Sequence, residues 1–467
     1  MKSVERAITK SPLDFPEIRL IVATYLSRSD AIACSIVCKA WSEDFISNVW
    51  HSVDFKVHKM FKSLDPKIIA KYGKHIRVVA SLDKTSQLTA LQDPSICNLK
   101  SISVASLSSE FRLYLTDLIR RNSNTITDLV LTSLVNPFQP DVRMDFESVD
   151  ALVPNTPPNK SSLTSVTLKN LRMTRDSLST LLFVCPALND ISISRCVFLK
   201  CRNYDFHQNF HVTKFCASIG QILYPHPGHD TVSLLVHFPN LKVWANLDRD
   251  SLAETTAKSF RKEMMKYCSD VVAVESYASP STVVENIFSA LTQPLEKIQF
   301  SYDTISPGVI KSILFHSSTL LSIEANNSTI KNWDYDADEV FDMADNASES
   351  GFGWMIQTIP MTCSRLEVII LPSHKMDMDI VERMPWTCMD LRVLKIRVQG
   401  LETKKRIQSV VKRWQHGLQA QRQKIHLDVM TGVKTEEKDS INNKVLRHLL
   451  QFKKLTTVWL GYKTWRA

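Results

Sequence analysis

Glycine is scarce, with 10 in 467 residues. Folds that cradle phosphates or build tight turns on glycine are therefore poor candidates. No G-x-G-x-x-G, G-x-x-x-x-G-K-[ST], G-x-S-x-G or H-E-x-x-H is present, which removes the common signatures of nucleotide-binding folds, α/β-hydrolases and zinc proteases. No apolar run approaches the roughly 18 to 20 residues that span a bilayer. The opening "MKSVERAITKSPLD" is charged and then broken by Pro12, which is not a signal-peptide pattern. An intracellular protein is expected, and its ten cysteines are expected to be thiols. No nucleophile, base and orienting acid stand at an interpretable spacing, and His207, His211 and His316 are isolated. The chain is not expected to be an enzyme.

What is present is globular. Apolar residues make up 44% and charged residues 22%, a composition that buries a core. The length exceeds one ordinary domain, so several domains or a repeat array are expected. The net charge of +9 is uneven. Residues 400–467 hold 15 Lys and Arg against 5 Asp and Glu, while the rest hold 42 against 43.

The stretch "DFPEIRLIVATYLSRSDAIACSIVCKAW" opens with Asp14 and Glu17 in a D-x-x-E capping pattern, with Pro16 in the first turn. Ile18, Ile21, Val22 and Tyr25 follow on one helical face. After the polar "SRSD", Ser29 is placed to cap a second helix carrying Ile32, Ile36, Val37, Ala40 and Trp41. "SEDFISNVW" adds Phe45, Ile46, Val49 and Trp50. Three short helices cannot bury all these faces among themselves, so a further surface is expected to cover them.

The order Pro16-Glu17-Ile18, Tyr25-Leu26, Val37-Cys38-Lys39-Ala40-Trp41 and Trp50 resembles an F-box. That family shows Leu-Pro-x-Glu-Ile, a helix ending in Leu, a Val-Cys-x-x-Trp helix and a late Trp. One landmark departs: positions 14 and 15 are Asp14 and Phe15, and a reversed Pro12-Leu13 lies upstream. The resemblance implies an F-box over residues 11–55 that docks on the Skp-type adaptor of a cullin-based (SCF) ubiquitin ligase. It implies contacts through Leu13, Pro16, Glu17, Ile18, Ile21, Val22, Leu26, Ile32, Val37, Trp41 and Trp50.

The remainder repeats. A hexad L-x-x-[VIL]-x-[LIVF] recurs as "LKSISV" at Leu99, "ITDLVL" at Ile126, "LTSVTL" at Leu163, "LNDISI" at Leu188, "LEKIQF" at Leu295, "LEVIIL" at Leu366, "LRVLKI" at Leu391 and "LTTVWL" at Leu455. "LKVWAN" at Leu241 and "LLSIEA" at Leu320 are weaker copies. Spacings of 25 residues separate 163 from 188, 295 from 320 and 366 from 391, and 27 separate 99 from 126. Helical stretches such as "TRDSLSTLLFVCPAL" lie between. Each unit reads as strand, turn and helix, and stacking supplies the core. Cys185, Cys363 and Cys388 each stand three residues before a hexad, as Cys268 does before the degenerate "VVAVES". They read as small buried hydrophobes. With Cys196 closing L-x-x-I-x-I-x-x-C, the pattern resembles the cysteine-containing leucine-rich repeat. The expected fold class is α/β: a short three-helix F-box, then a leucine-rich-repeat solenoid over 56–467 with a curved parallel sheet and outer helices. Insertions are expected near 137–162, 199–237 and 326–362.

Three further patterns carry little chemistry. Cys196, Cys201, His207 and His211 have a connecting loop too short for a zinc finger. "DYDADEVFDMAD" places Asp334, Asp336, Asp338, Asp342 and Asp345 at calcium-loop positions, but Glu339 stands where the turn needs Gly. "KKRIQSVVKRWQHGLQ" puts Ile407, Val410, Val411, Trp414 and Leu418 on one face, so it reads as an amphipathic core helix with a solvated basic side. No metal and no cofactor is expected, and neither membrane nor nucleic acid is an expected partner.

In a leucine-rich solenoid the hexad's apolar residues point inward and the residues between them outward. The outward places of early strands are Ser101, Ser103, Asp128, Ser165, Thr167, Asp190 and Ser192, a plain polar surface. The last strands present Val368, Ile370, Val393, Lys395, Arg397, Thr457 and Trp459, which are expected to bind substrate. The function implied is substrate recognition in an SCF-type ligase: a target protein on the repeats, adaptor and cullin at the F-box, ubiquitin-dependent degradation as the outcome. The alternative is an adaptor-bound scaffold without turnover.

Overall fold

The computed structural model describes residues 11–57, 65–106, 109–133, 161–199, 207–223, 233–246, 254–277, 281–291, 293–301, 304–326, 329–330, 351–401, 403–422, 441–461 and 464–466. The chain divides into two units, Met1–Val212 and Thr213–Ala467.

The first unit begins with a 3-10 turn at Pro12–Asp14 and three helices: α1 (Pro16–Ala23), α2 (Arg28–Ser35) and α3 (Lys39–Trp50). The expected caps differ. Asp14 accepts from the Ser11 amide at 2.7 Å and closes the 3-10 turn, leaving Phe15 as the uncapped entry to α1. Ser27, not Ser29, caps α2 through the Asp30 amide. The second helix stops at Ser35, and Cys38 adopts extended backbone that starts α3, so Ala40 and Trp41 belong to the third helix.

Strands then follow in the order β1 (Ser52–Asp54), β2 (Val78–Leu82), β3 (Ser101–Val104), β4 (Asp128–Thr132), β5 (Ser165–Lys169) and β7 (Asp190–Ser194), with each adjacent pair parallel. Two short strands, β6 (Arg172–Thr174) and β8 (Val197–Leu199), pair beside them.

The second unit continues with β9 (Lys214–Ala217), β10 (Val243–Asn246), β11 (Ala273–Tyr277), β12 (Lys297–Ser301), β13 (Thr304–Ile305), β14 (Ser322–Asn326), β15 (Thr329–Ile330), β16 (Val368–Met376), β17 (Val393–Val398) and β18 (Thr457–Trp459). Its main sheet is parallel from β9 to β18, with β13 and β15 forming a separate pair. A final strand, β19 (Thr464–Arg466), runs antiparallel to β18.

Every hexad named above lies on a strand that begins at its third residue, because the hexad's second residue carries the link between repeats. The Val272 carbonyl accepts from the amides of Glu296 and Lys297, at 2.7 and 3.2 Å. The Glu296 carbonyl does the same for Leu321 and Ser322, that of Leu321 for Glu367 and Val368, and that of Glu367 for Arg392 and Val393. In the first unit, Thr127 serves Thr164 and Ser165 in the same way. One carbonyl thus satisfies two amides that the bend into the strand would otherwise strand in the interior.

The hexad's first, fourth and sixth residues are the core. Leu99, Ile102 and Val104 are fully buried, as are Leu391 and Leu394. Burying each such side chain contributes about 1.5–3 kcal/mol. On most strands the residues between them are half-buried or exposed, the period-two alternation of a sheet packed on one side, while on β10 and β11 Ala245, Ala273 and Glu275 are buried as well. Helices between strands cover the apolar side. In the helix Lys404–Arg422, Ile407, Val410, Val411, Trp414 and Leu418 are all buried while Lys404, Lys405, Arg406 and Lys412 stay exposed. This is the parallel-strand, outer-helix build of a leucine-rich-repeat-like solenoid.

The cysteines take the inward places expected. Cys268, Cys363 and Cys388 are fully buried, and burial pushes each thiol up to about 12. Cys196 is pushed to about 11 by burial, and its Sγ donates to the Leu168 carbonyl at 3.4 Å. That bond gives Cys196 a repeat role. His207 stacks edge-on against Phe183, and Cys201 lies outside the described residues. The acidic run Asp334–Asp345 and the segment 134–160 also lie outside them. The segment 199–237, read as an insertion, contains a repeat strand: β9 begins two residues after the fully buried Val212 and follows the hexad "VTKFCA". The other, 326–362, contains the helix Gly351–Thr362.

Two buried histidines link the second unit's stability to pH. His448 packs edge-on against Trp386 and Phe452, at 4.6 and 4.9 Å between ring centroids. Burial lowers it to about 3 and lowers His374 to about 4. In the unfolded chain both protonate near the ordinary value of about 6.5. Between that pH and the folded values the unfolded state binds more protons, so stability is complete above about pH 6.5 and falls as pH falls. Each histidine removes about 1.4 kcal/mol per pH unit in that window. Urea titrations at pH 6.5 and pH 5 are expected to show the wild type losing about 2 kcal/mol more than His448→Leu. Equal losses would mean the imidazole is charged in the folded state.

Candidate functional site

In α1 the usual inside-out arrangement is reversed. Arg19 and Ala23 are its buried residues, at 5% and 2% exposure, while Ile21 is 60% exposed and Tyr25, just beyond the helix end, 85%. The reason lies in α3. Arg19 Nε donates to Asp44 at 2.5 Å, and Arg19 Nη1 donates to the Leu13 carbonyl at 2.8 Å. Asn48 donates its amide to the Ala23 carbonyl at the end of α1. Arg28 Nη1 donates to the Ser52 carbonyl at 3.1 Å and ties α2 to the first strand. Charge-assisted and amide hydrogen bonds therefore clamp the helices. The small core beneath them is Ala23, Ala31, Phe45 and Val49. The apolar stripe of α1 is left outside.

The same holds at the end of α2. The turn that separates α2 from α3 carries Ile36 at 81% and Val37 at 61% exposure, with Cys38 exposed beside them. Leu13, Phe15, Ile18, Leu20 and Ile32 are also exposed. Among the described residues, 9 of the 18 exposed large apolar side chains fall between Leu13 and Val37. Such concentration is not the scatter of single apolar residues seen on ordinary surfaces, and marks an interaction site.

Of the residues expected to meet an adaptor, Leu13, Pro16, Glu17, Ile18, Ile21, Ile32 and Val37 are exposed, and Val22, Leu26 and Trp41 are half-buried. Trp50 differs. It is 7% exposed and stacks on Tyr72 with centroids 5.1 Å apart and planes 10° apart, so its ring anchors α3 to the helix Pro66–Tyr72 and offers no docking surface. Sequence reasoning missed Phe15 and Leu20 as surface residues, and placed Ile36 on a helix where the structure puts it in the turn after α2. Their signal was a helix and turn apolar on more than one side, with a lone Arg19 in the middle.

The second candidate surface is the half-exposed side of the last strands. Parallel register sets Val368 beside Val393, Ile370 beside Lys395, and Lys395 beside Trp459, with Thr457 beside Val393. Arg397 lies exposed further along β17, next to the turn at Gly461, whose φ of +100° lets the chain reverse. All seven residues expected to bind substrate therefore sit on three neighbouring strands. Thr464–Arg466, within the segment "YKTWRA", pairs along the edge of β18 through its backbone, and Trp459 stays half-exposed.

Fold and surfaces together define an α/β repeat protein with a leucine-rich-repeat-like build that carries an N-terminal helical module with its apolar side outward. No family model matches the chain, and no curated protein does. Among solved structures, one described as the crystal structure of the Rad7 and Elc1 complex in yeast shares 12% identity, covers 84% of this chain and 94% of that chain, and superposes with a TM-score of 0.31. So distant a likeness does not bear on either surface. Among the described residues no helix is long and apolar enough to cross a membrane.

Proposed function

We propose that the protein is a non-catalytic substrate-recognition subunit of an SCF-type ubiquitin ligase. The helical module at residues 11–50 docks on a Skp-type adaptor and, through it, on a cullin. The repeats hold a target protein. The chain supplies proximity, not chemistry: it raises the local concentration of its target near a ubiquitin-charged enzyme. The observation that carries the reading is the reversed α1, where a buried Arg19–Asp44 pair frees Ile18, Ile21 and Tyr25 for a partner. The F-box-like order of landmarks supplies the identity of that partner.

Native alkylation read by peptide mass spectrometry tests it. Cys38 and Cys97 are exposed and are expected to label quickly, while Cys268, Cys363 and Cys388 label slowly because burial disfavours the thiolate. Adding a purified Skp-type adaptor is expected to protect Cys38 and leave Cys97 unchanged. Undiminished labelling of Cys38 at saturating adaptor would sink the assignment. Fast labelling of the three buried thiols would show that the repeat register is wrong.

A further inference from the structure

The half-exposed side of the second unit's sheet changes its charge balance along the strands. On β9 to β14 its acids and bases answer one another. Lys214 Nζ lies 2.7 Å from Glu275 Oε2, the Tyr277 hydroxyl donates to the same oxygen at 2.8 Å, and Lys297 meets Glu324 at 3.0 Å. Glu275 is only 8% exposed, so this stretch is closed upon itself. Past β14 Arg392 still meets Glu367 at 3.3 Å just ahead of β17 and β16, but along the outward places of the strands themselves the compensation ends. Ile370 follows Glu324 in the row, then Lys395, then Trp459. Arg397 has Lys375, another cation, as its register partner on β16. Among the described residues no carboxylate pairs with Lys395 or Arg397.

We propose that this face binds an acidic protein segment bearing apolar side chains, with carboxylates at Lys395 and Arg397 and apolar groups against Ile370 and Trp459. The inference rests on the reading of the chain as a recognition subunit, and names the chemistry of what it recognises. Charge complementarity sets the sign of the segment. Two unanswered cations beside aliphatic and indole surface favour carboxylates over a phosphate backbone, whose recognition draws on many more cations. Strand spacing sets its pattern. Ile370 and Trp459 are two strands apart, about 10 Å, since neighbouring strands lie about 4.8 Å apart. A polyproline-II-like chain advances about 3.1 Å per residue and repeats its face every three residues, so the segment carries apolar anchors three residues apart with acids between them. Trp459 is the anchor with the largest contact surface, of the kind that dominates protein interfaces.

The test uses the full chain and a fluorescein-labelled peptide, Leu-Asp-Glu-Leu-Asp-Glu-Phe-Asp-Glu-Leu-Asp-Glu, in anisotropy titrations. Its controls are a peptide with the acids replaced by Lys, a polyglutamate of equal length and a single-stranded DNA 12-mer. Binding of the acidic peptide is expected to fall at least tenfold in Lys395→Glu with Arg397→Glu, and likewise in Ile370→Ser with Trp459→Ala, with thermal unfolding unchanged. The charge reversal changes two solvent-facing side chains and keeps the proposal testable should the apolar pair prove structural. Three results overturn it: no binding above the Lys-substituted control, equal binding of polyglutamate or DNA, or indifference to the charge reversal. Binding seen only once residues 331–350 are deleted also overturns it, giving the face to the chain's own acidic segment. Protection of Cys38 by adaptor is read on a different surface, so failure of the peptide leaves the adaptor assignment standing, and the reverse.

Discussion

Val37→Asp is expected to abolish capture of a Skp-type adaptor, with a loss of more than 100-fold, while thermal unfolding stays within about a degree of wild type. Both halves follow from one fact. Val37 is 61% exposed in the isolated chain, so a carboxylate there is solvated and costs the fold almost nothing. An apolar contact closing over that carboxylate without a partner costs several kcal/mol, and each 1.4 kcal/mol is about tenfold in affinity. Isothermal titration with purified adaptor and a melting curve read the two halves. Normal adaptor affinity would mean that the exposed stripe serves another purpose. A lowered melting temperature would mean that Val37 is core.

Asp44→Ala is expected to act in the opposite way, damaging the module itself. Its removal leaves the Arg19 guanidinium, whose side chain is 6% exposed, with the Leu13 carbonyl but no counter-charge. Breaking a buried pair by deleting one partner costs about 3–5 kcal/mol. Three short helices over a core of four buried apolar side chains have little margin against such a loss. Hydrogen exchange is expected to rise through residues 11–50 and to stay low in the strands from β3 onward. The double variant Arg19→Met with Asp44→Leu separates charge from packing: because no charge is left stranded, it is expected to recover most of the lost protection. Unchanged exchange in Asp44→Ala would show that the pair is not what holds the apolar stripe outward.

The repeats were legible because their signal is redundant. A hexad fixes inward and outward places at once, and Cys363 and Cys388 mark the same register a second time. The helix Lys404–Arg422 was legible for a similar reason, since Trp414 and its neighbours repeat at helical spacing. Where only one cue existed, reading failed. The strand β9 hid in a supposed insertion because its hexad opens with Val212 and closes with Ala217, with no leucine at either end. Strands β1 and β2 lack a full hexad altogether. Apolar periodicity located the helices of the first 50 residues and misassigned their ends. Ser27 outcompetes Ser29 as a cap, and the acid that looked like a cap for α1 closes an earlier turn. The direction of the α1 stripe was set by Arg19, Asp44 and Asn48. Pairing across 25 residues of chain leaves no periodic trace, so Arg19 stood out only as a lone charge and its partners across the module, Asp44 and Asn48, gave no warning.

The antiparallel strand at the end of the second unit bears on how the molecule behaves in a crowded solution. A parallel ladder has no intrinsic end: its last strand offers a row of unused amides and carbonyls on which another strand can grow. Gly461 reverses the chain, and Thr464–Arg466 fills that row with the protein's own backbone. The new edge is three residues long and lies against the last repeat, too short to template much. Proteolysis before Gly461 would thus leave the hydrophobic core nearly intact and still bare an edge on which other chains can pair.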